Sequence, residues 1–377
     1  MLKRLYVDNY RCFANFDLKL KPLSLLLGPN GAGKTSVIEI IDGMRQFVSK
    51  GLSIDDLAPA QSLTRWSRQL EQRFVLTVEL ETEEFTYELV VKHTEDRTKR
   101  RVLSERLTCA STTLFHFDDS AIAHLFNDSG VEKAKAPFDW SRSSLGLLRA
   151  GPDNKKLTRF KNWLEQIQLI RPNPRTMESR SEKSSQLFHP SLSDFACWLR
   201  GRFEEDPSGP FALLQELKQV LEGLVSLKNV TLGGDFRRLE AQLKTSEVES
   251  DSSEMPYSVS FDELSDGQRL LIGLYAVILL SLSNDRVLLV DEPDNYLSLA
   301  EVQPWFNRLQ DILGTRGGQV ILVSHHPEIL NQAAVDSGLW LSRPGNAHVR
   351  VRSFRDLISG FEGSASISEI IARGWTN

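Results

Sequence analysis

The sequence predicts an α/β fold with a mainly parallel core sheet, an N-terminal antiparallel β subdomain and an inserted helical lobe. Three observations predict it. The apolar run Leu23–Leu27 feeds a glycine-rich turn and then an amphipathic helix. Segments 74–80 and 85–91 alternate apolar and polar residues, as half-buried antiparallel strands do. The last third alternates short apolar runs with stretches of helical spacing.

Each element follows in order. Segments 2–7 and 16–20 read as strands ahead of Leu23–Leu27. Val37, Ile38, Ile40, Ile41 and Met44 then place a helix over 35–47. A polar, irregular stretch runs through Pro59. The strands at 74–80 and 85–91 meet at a turn over 81–84, and 102–107 and Thr112–Phe117 continue that sheet. From 119 to 225 the spacing turns helical. One helix carries Leu157, Phe160, Trp163, Leu164 and Ile167, a second Phe195, Trp198 and Leu199, and a third runs from Phe211 to Leu224. Segments 128–155 and 172–192 read as exposed loops, and the acidic, serine-rich 246–254 as a mobile one. Strands at 287–290, 319–323 and 338–341 alternate with helices at 298–313 and 327–333. The chain is thus expected in three parts: a lobe over 1–118, a mainly helical insertion over 119–256 and a lobe over 257–377.

Bulk composition narrows the classes. A quarter of the 377 residues are charged and the formal net charge is −5, so nucleic-acid contact would need a local patch. Cys12, Cys109 and Cys197 form no C-x-x-C pair, which argues against a zinc site or a disulfide framework. Asp8 and Asn9 interrupt the N-terminus too early for a signal peptide. The longest apolar stretch, 270–282, is too short to span a bilayer. A cytoplasmic location without membrane contact is expected.

Gly28, Pro29, Asn30, Gly31, Ala32, Gly33, Lys34 and Thr35 form a complete G-x-x-x-x-G-K-[ST] loop between strand and helix. The glycines let backbone N–H groups curl around phosphate oxygens, and the helix N-terminus favours an anion. Lys34 would reach the β- and γ-phosphates, and Thr35 or Ser36 would hold Mg²⁺. The chain is therefore expected to bind a nucleoside triphosphate. Asp291 and Glu292 end the apolar segment 287–290. Asp291 would orient Mg²⁺, and Glu292 would act as general base on the attacking water. Ser265-Asp266-Gly267-Gln268 opens the apolar 270–282 helix, a second anion cradle whose plainer reading is a helix cap at Ser265. His325 follows the 319–323 strand and taken alone is an ordinary surface histidine. Order and spacing change that reading, because Ser265, Asp291, Glu292 and His325 all follow the phosphate loop, within about sixty residues of one another.

This arrangement resembles the ABC-type ATPases over roughly 1–48 and 257–342, so the fold implied is a P-loop NTPase head of ABC type. The resemblance implies ATP and Mg²⁺ as cofactors, Glu292 as catalytic base and His325 as the histidine that clasps the γ-phosphate. Lys34 joins them in catalysis. It also implies that Ser265, Gly267 and Gln268 meet ATP across a head-to-tail dimer, with Asp294 and Asn295 in the loop connecting the two sites. Asp266 stands where the family's signature usually has its first glycine, and an acid there would repel the triphosphate unless turned away. Asn9-Tyr10-Arg11-Cys12-Phe13 is similar to the N-[FY]-R-x-F element of the RecF, SMC and OLD-type branch, which implies Arg11 near the nucleotide. The gap of about 230 residues between the phosphate loop and Ser265 holds no coiled-coil pattern, which resembles the compact RecF/OLD-like members. The length implies no Toprim nuclease domain of its own. The family's Q-loop glutamine has no clear counterpart. Gln61, Gln69 and Gln72 precede the antiparallel sheet, Gln166 and Gln168 lie in a later helix, and each reads as a surface residue.

Two stretches are locally basic, 92–106 around Lys99-Arg100-Arg101, and 142–183 with Arg149, Lys155, Lys156, Arg159, Lys161, Arg171 and Arg175. They are either a nucleic-acid surface or a solvated, protein-binding face. The expected function is ATP hydrolysis by a homodimer or higher oligomer, driving head closure and opening. It would act on DNA or on a separately encoded nuclease or other effector, in DNA repair or anti-phage defence. The alternatives are a nucleotide-sensing scaffold that holds a nuclease or toxin with little turnover, and a transporter's ATPase subunit.

Overall fold

A computed structural model describes residues 1–244, 255–359 and 365–374, and the acidic loop expected at 246–254 lies outside them. Three sheets organise the chain. The central one has six strands in the order Ile167–Ile170, Asn284–Asp291, Gly317–Val323, Leu23–Leu27, Gly338–Ser342 and Arg350–Ser353. The first five are parallel and the last is antiparallel. Parallel strands covered on both faces read as continuous apolar runs, which is what Leu23–Leu27 shows. Its alternate residues divide between two cores. Leu26, Leu289, Ile321 and Val323 face one, and Leu25, Leu27, Leu288, Val320 and Leu322 face the other.

The first core lies under an eight-stranded antiparallel sheet and the helix Lys34–Ser49. The sheet runs in the order Phe16–Lys19, Leu2–Asp8, Glu71–Leu80, Glu83–His93, Arg100–Cys109, Thr112–Phe117, Ile122–Phe126 and Glu132–Pro137. The second core surrounds the helix Asp266–Ser281, buried along nearly its whole length. That explains an apolar stretch without a polar face. Among the described residues no helix is long and apolar enough to cross a membrane.

The inserted segment departs from its helical expectation in three places. Ile122–Phe126 and Glu132–Pro137 extend the antiparallel sheet, within a stretch read as helix and loop. The second of these is an edge strand made of Glu, Lys, Ala and Pro, and so carries no apolar alternation to read. Leu224–Gly233 and Phe236–Leu243 form a hairpin that pairs with Tyr257–Ser260 and Arg180–Ser181. Ile167–Ile170 is a strand of the central sheet, and the helix before it ends at Glu165. Apolar spacing runs straight from Trp163 and Leu164 into Ile167, so periodicity alone does not show the break. Gln168 accordingly lies on a strand and is buried.

A buried polar network joins the antiparallel sheet to the loop beside the phosphate turn. Gln72, expected on the surface, is fully buried. It donates to the Asn9 carbonyl at 2.9 Å and to Ser62 Oγ at 3.1 Å, and its Oε1 accepts from His93 Nε2 at 2.9 Å. Asn9 in turn donates to the carbonyls of Gln69 and Glu71, at 2.9 and 2.8 Å. The backbone N–H of Arg11 donates to the Ser62 carbonyl at 2.5 Å. Segment 9–13 and segment 60–66 are held against each other as a result.

Burial, with Arg100 and Arg97 nearby, lowers the His93 pKa from 6.5 to about 4. The unfolded chain therefore takes up a proton that the native imidazole refuses as pH falls through this window. Stability is full above pH 6.5 and declines towards pH 4, by as much as about 3 kcal/mol from this group. Urea denaturation across that range should show the decline, and His93→Gln should flatten it.

Candidate functional site

The parallel strands of the central sheet end on one rim, where α/β sheets place ligands. Leu23–Leu27 delivers the phosphate loop there and Asn284–Asp291 delivers Asp291 and Glu292. A cavity of about 660 Å³ opens at this rim, within the range of small-molecule sites. Asn30, Gly31, Gly33, Lys34, Thr35 and Ser36 line one side of it, together with Glu292. Arg11, Cys12, Gln61, Leu63, Arg65, Trp66 and Arg343 line the rest.

Two loop glycines have conformations that other residues adopt poorly. Gly28 has φ +138°, and a Cβ there would lie 2.1 Å from the Leu341 carbonyl oxygen on the neighbouring strand. Gly33 has φ +98° and caps the Lys34–Ser49 helix against the Phe13 ring. The Lys34 side chain curls back, donating to the carbonyls of Gly28 at 2.8 Å and Pro29 at 3.1 Å. Burial lowers the Lys34 pKa, and the charges of Glu292 and Asp291 oppose that shift. Arg11, itself in a left-handed conformation, donates to Ser36 Oγ at 3.0 Å and pairs with Glu39.

Asp291 is buried at its strand end. Two Arg171 nitrogens donate to its Oδ2, Nε at 2.9 Å and Nη2 at 2.7 Å, while Oδ1 is buried without a partner. Desolvation raises the Asp291 pKa, and Arg171 works against that rise. Sequence reasoning placed Arg171 only in a basic stretch. Its position follows from the missed strand Ile167–Ile170, which runs parallel to Asn284–Asp291 with Ile170 beside Val290, so the next residues, Arg171 and Asp291, are neighbours. Glu292 has φ +49°, and its carboxylate accepts from Asn295 Nδ2 at 3.1 Å. His325 is on the surface next to this group. Partial burial and Lys34 lower its pKa, while Glu292 and Asp294 draw it back. His326 is buried and caps the Pro327–Ser337 helix.

Ser265 and Gln268 cap the Asp266–Ser281 helix reciprocally, with Ser265 Oγ accepting from Gln268 N at 3.2 Å and Gln268 Oε1 from Ser265 N at 3.0 Å. Ser265, Gly267 and Gln268 do not line the cavity at the phosphate loop. The Asp266 carboxylate is turned to Arg269 at 2.5 Å and Arg175 at 3.1 Å, so its charge is met within the chain. Most of the named cations of the 142–183 stretch are similarly committed. Lys156 pairs with Glu83, Arg159 with Glu81 and Glu83, and Lys161 donates to the Gly146 and Leu148 carbonyls.

Asp291 with one buried, unpartnered oxygen, Lys34 curled into its own loop and the polar cavity lined by Lys34 and Glu292 suit a triphosphate carrying Mg²⁺. Thr35 and Asp291 would hold the metal, which supplies charge neutralisation when bound.

A family model described as "AAA domain, putative AbiEii toxin, Type IV TA system" matches residues 23–331. An OLD nuclease of Thermus scotoductus is 57% identical over 42 residues, covering 11% of this chain and 8% of that protein. The likeness thus spans a small part of the nuclease's length. An SMC head bound to the C-winged helix domain of ScpA superposes with a TM-score of 0.56 at 11% identity, covering 94% of this chain and 99% of that one. An SMC head with an extended coiled coil, bound to the C-terminal domain of ScpA derived from Pyrococcus furiosus, gives 0.50 at 10% identity over 95% and 98%. The fold is that of an SMC-type P-loop ATPase head.

Gly28→Ala should destabilise the protein by more than about 2 kcal/mol in urea denaturation, because strain at positive φ adds to the contact with Leu341. Gly31→Ala, at φ +78° with open space around it, should cost only about 1 kcal/mol.

Proposed function

We propose, on the premise that this chain belongs to the AAA-domain family whose model spans residues 23–331, that it hydrolyses ATP with Mg²⁺ in a site completed by a second copy of itself. The observation that carries this reading is one cavity joining Lys34 and Thr35 to Glu292, with Asp291 one residue away presenting a buried free oxygen. Backbone N–H groups of the phosphate loop would hold the β- and γ-phosphates, and Lys34 would leave its carbonyl partners for phosphate oxygens. Glu292 would take the proton of the attacking water, and Asn295 positions its carboxylate. His325, biased to its neutral form by its surroundings, would contribute a hydrogen bond at the γ-phosphate.

The lining of the cavity supports a dimer. Ser265 and Gly267 stand outside it with their helix N-terminus at the surface, so they would serve a nucleotide held by another copy. Neutralisation of Asp266 by Arg269 and Arg175 removes the electrostatic objection to that role. ATP binding would close two heads and hydrolysis would release them. With much of the 142–183 cation set paired internally, a separately encoded protein effector suits this surface better than a DNA backbone. Work in the cytoplasm, in anti-phage defence or DNA repair, accords with this reading.

Lys34→Ala should abolish ATP binding in calorimetry. Glu292→Gln should bind ATP as the parent does, hydrolyse it at least about a hundredfold more slowly, and accumulate dimer with ATP in analytical ultracentrifugation. Unchanged turnover would remove Glu292 from the role of base.

A further inference from the structure

The residues lining the cavity at the phosphate loop fall into two chemically different sets. Lys34, Thr35 and Glu292 make one set, suited to phosphate and metal. The other contains Trp66 and Arg343, which phosphate binding does not require. Trp66 is 48% exposed, a large apolar surface left open where an indole is ordinarily covered. The Arg343 guanidinium lies over its ring, 5.2 Å from the centroid. Arg343 Nε also donates to the Ala347 carbonyl at 2.8 Å, which anchors the guanidinium to the loop after Gly338–Ser342. Trp66 itself follows segment 60–64, which the Asn9–Gln72–His93 network fixes beside Arg11. The two planar groups are therefore presented from separate, well-held parts of the chain.

Among the apolar residues that line the cavity, Leu63 and Cys12 are buried and offer it little area. Among the described residues that line the cavity, Trp66 is the one aromatic side chain. An indole face and a guanidinium plane both stack on heteroaromatic rings and tolerate any base, since every base has a π-face. With the triphosphate oriented towards Glu292, the nucleoside must extend away from that end. Arg343 follows Gly338–Ser342, which flanks Leu23–Leu27 on the side away from Asn284–Asp291 and Glu292, and Trp66 lies against it.

We propose that Trp66 and Arg343 form the nucleobase platform of this site, stacking on the base while the phosphate loop holds the triphosphate. This rests on the nucleotide-binding reading above. The pair confers affinity for the nucleoside half of the ligand and adds nothing to recognition of the phosphates.

The test compares ATP with inorganic triphosphate, both with Mg²⁺, by titration calorimetry on the full chain. Trp66→Ala should weaken ATP binding by about tenfold or more and leave triphosphate binding unchanged. Trp66→Phe should recover most of the loss. Arg343→Lys, which keeps the charge but loses the plane, should also weaken ATP selectively. Unchanged ATP affinity in Trp66→Ala would overturn the proposal, as would equal losses for ATP and triphosphate. Lys34→Ala should weaken both ligands. Failure of the parent to bind either one would instead defeat the nucleotide reading itself, and the platform with it.

Discussion

Burial of the central sheet on both faces is the constraint from which the rest of the architecture follows. Parallel strands cannot leave an apolar face in water, so one core forms under the antiparallel sheet and a second around the Asp266–Ser281 helix. Sandwiched in this way, five parallel strands finish on a common rim. That rim gathers the phosphate loop after Leu27, the acids after Val290 and the histidines after Val323 from three distant stretches of chain. Strand Asn284–Asp291 is not adjacent to Leu23–Leu27, because Gly317–Val323 lies between them.

Charges at the rim are met by partners within the chain. Lys34 donates to carbonyls of its own loop, Asp291 is held by Arg171, and Arg11 rests on Ser36 and Glu39. Lys34 and Asp291 are buried and Arg11 is exposed, and each is matched by a neighbour from within the chain. Buried charges need such partners. Arg171 is the most informative of the set. It comes from the inserted segment, and Arg175, four residues on, reaches Asp266 at the opening of the second-core helix. A single short stretch thus touches both Asp291 and the turn that opens the Asp266–Ser281 helix.

The local motifs were legible because their chemistry is local. A glycine turn between strand and helix, two acids at a strand end and a capped helix start each depend on residues close in sequence. The strands at Leu2–Asp8, Leu23–Leu27, Glu71–Leu80 and Glu83–His93 were legible for a similar reason, since apolar alternation or an apolar run reports a half-buried or fully buried face. The failures share a cause too. Ile167–Ile170 carries apolar residues in phase with the helix before it, and Glu132–Pro137 has hardly any apolar residues. Gln72 looks like any polar residue until its partners Asn9, Ser62 and His93 are brought around it.

Taken alone, the sequence determined the fold class, the phosphate loop and the order of the acids and histidine that accompany it. Those depend on spacing along the chain, which folding does not alter. Only the tertiary structure decided that Arg171 sits on Asp291, that Asp266 is neutralised, and that Trp66 and Arg343 share a wall of the cavity. Each of these pairs residues separated by long stretches or by a missed strand, except Asp266 with Arg269. Their meeting depends on sheet order and loop packing, quantities that no local pattern of residues encodes.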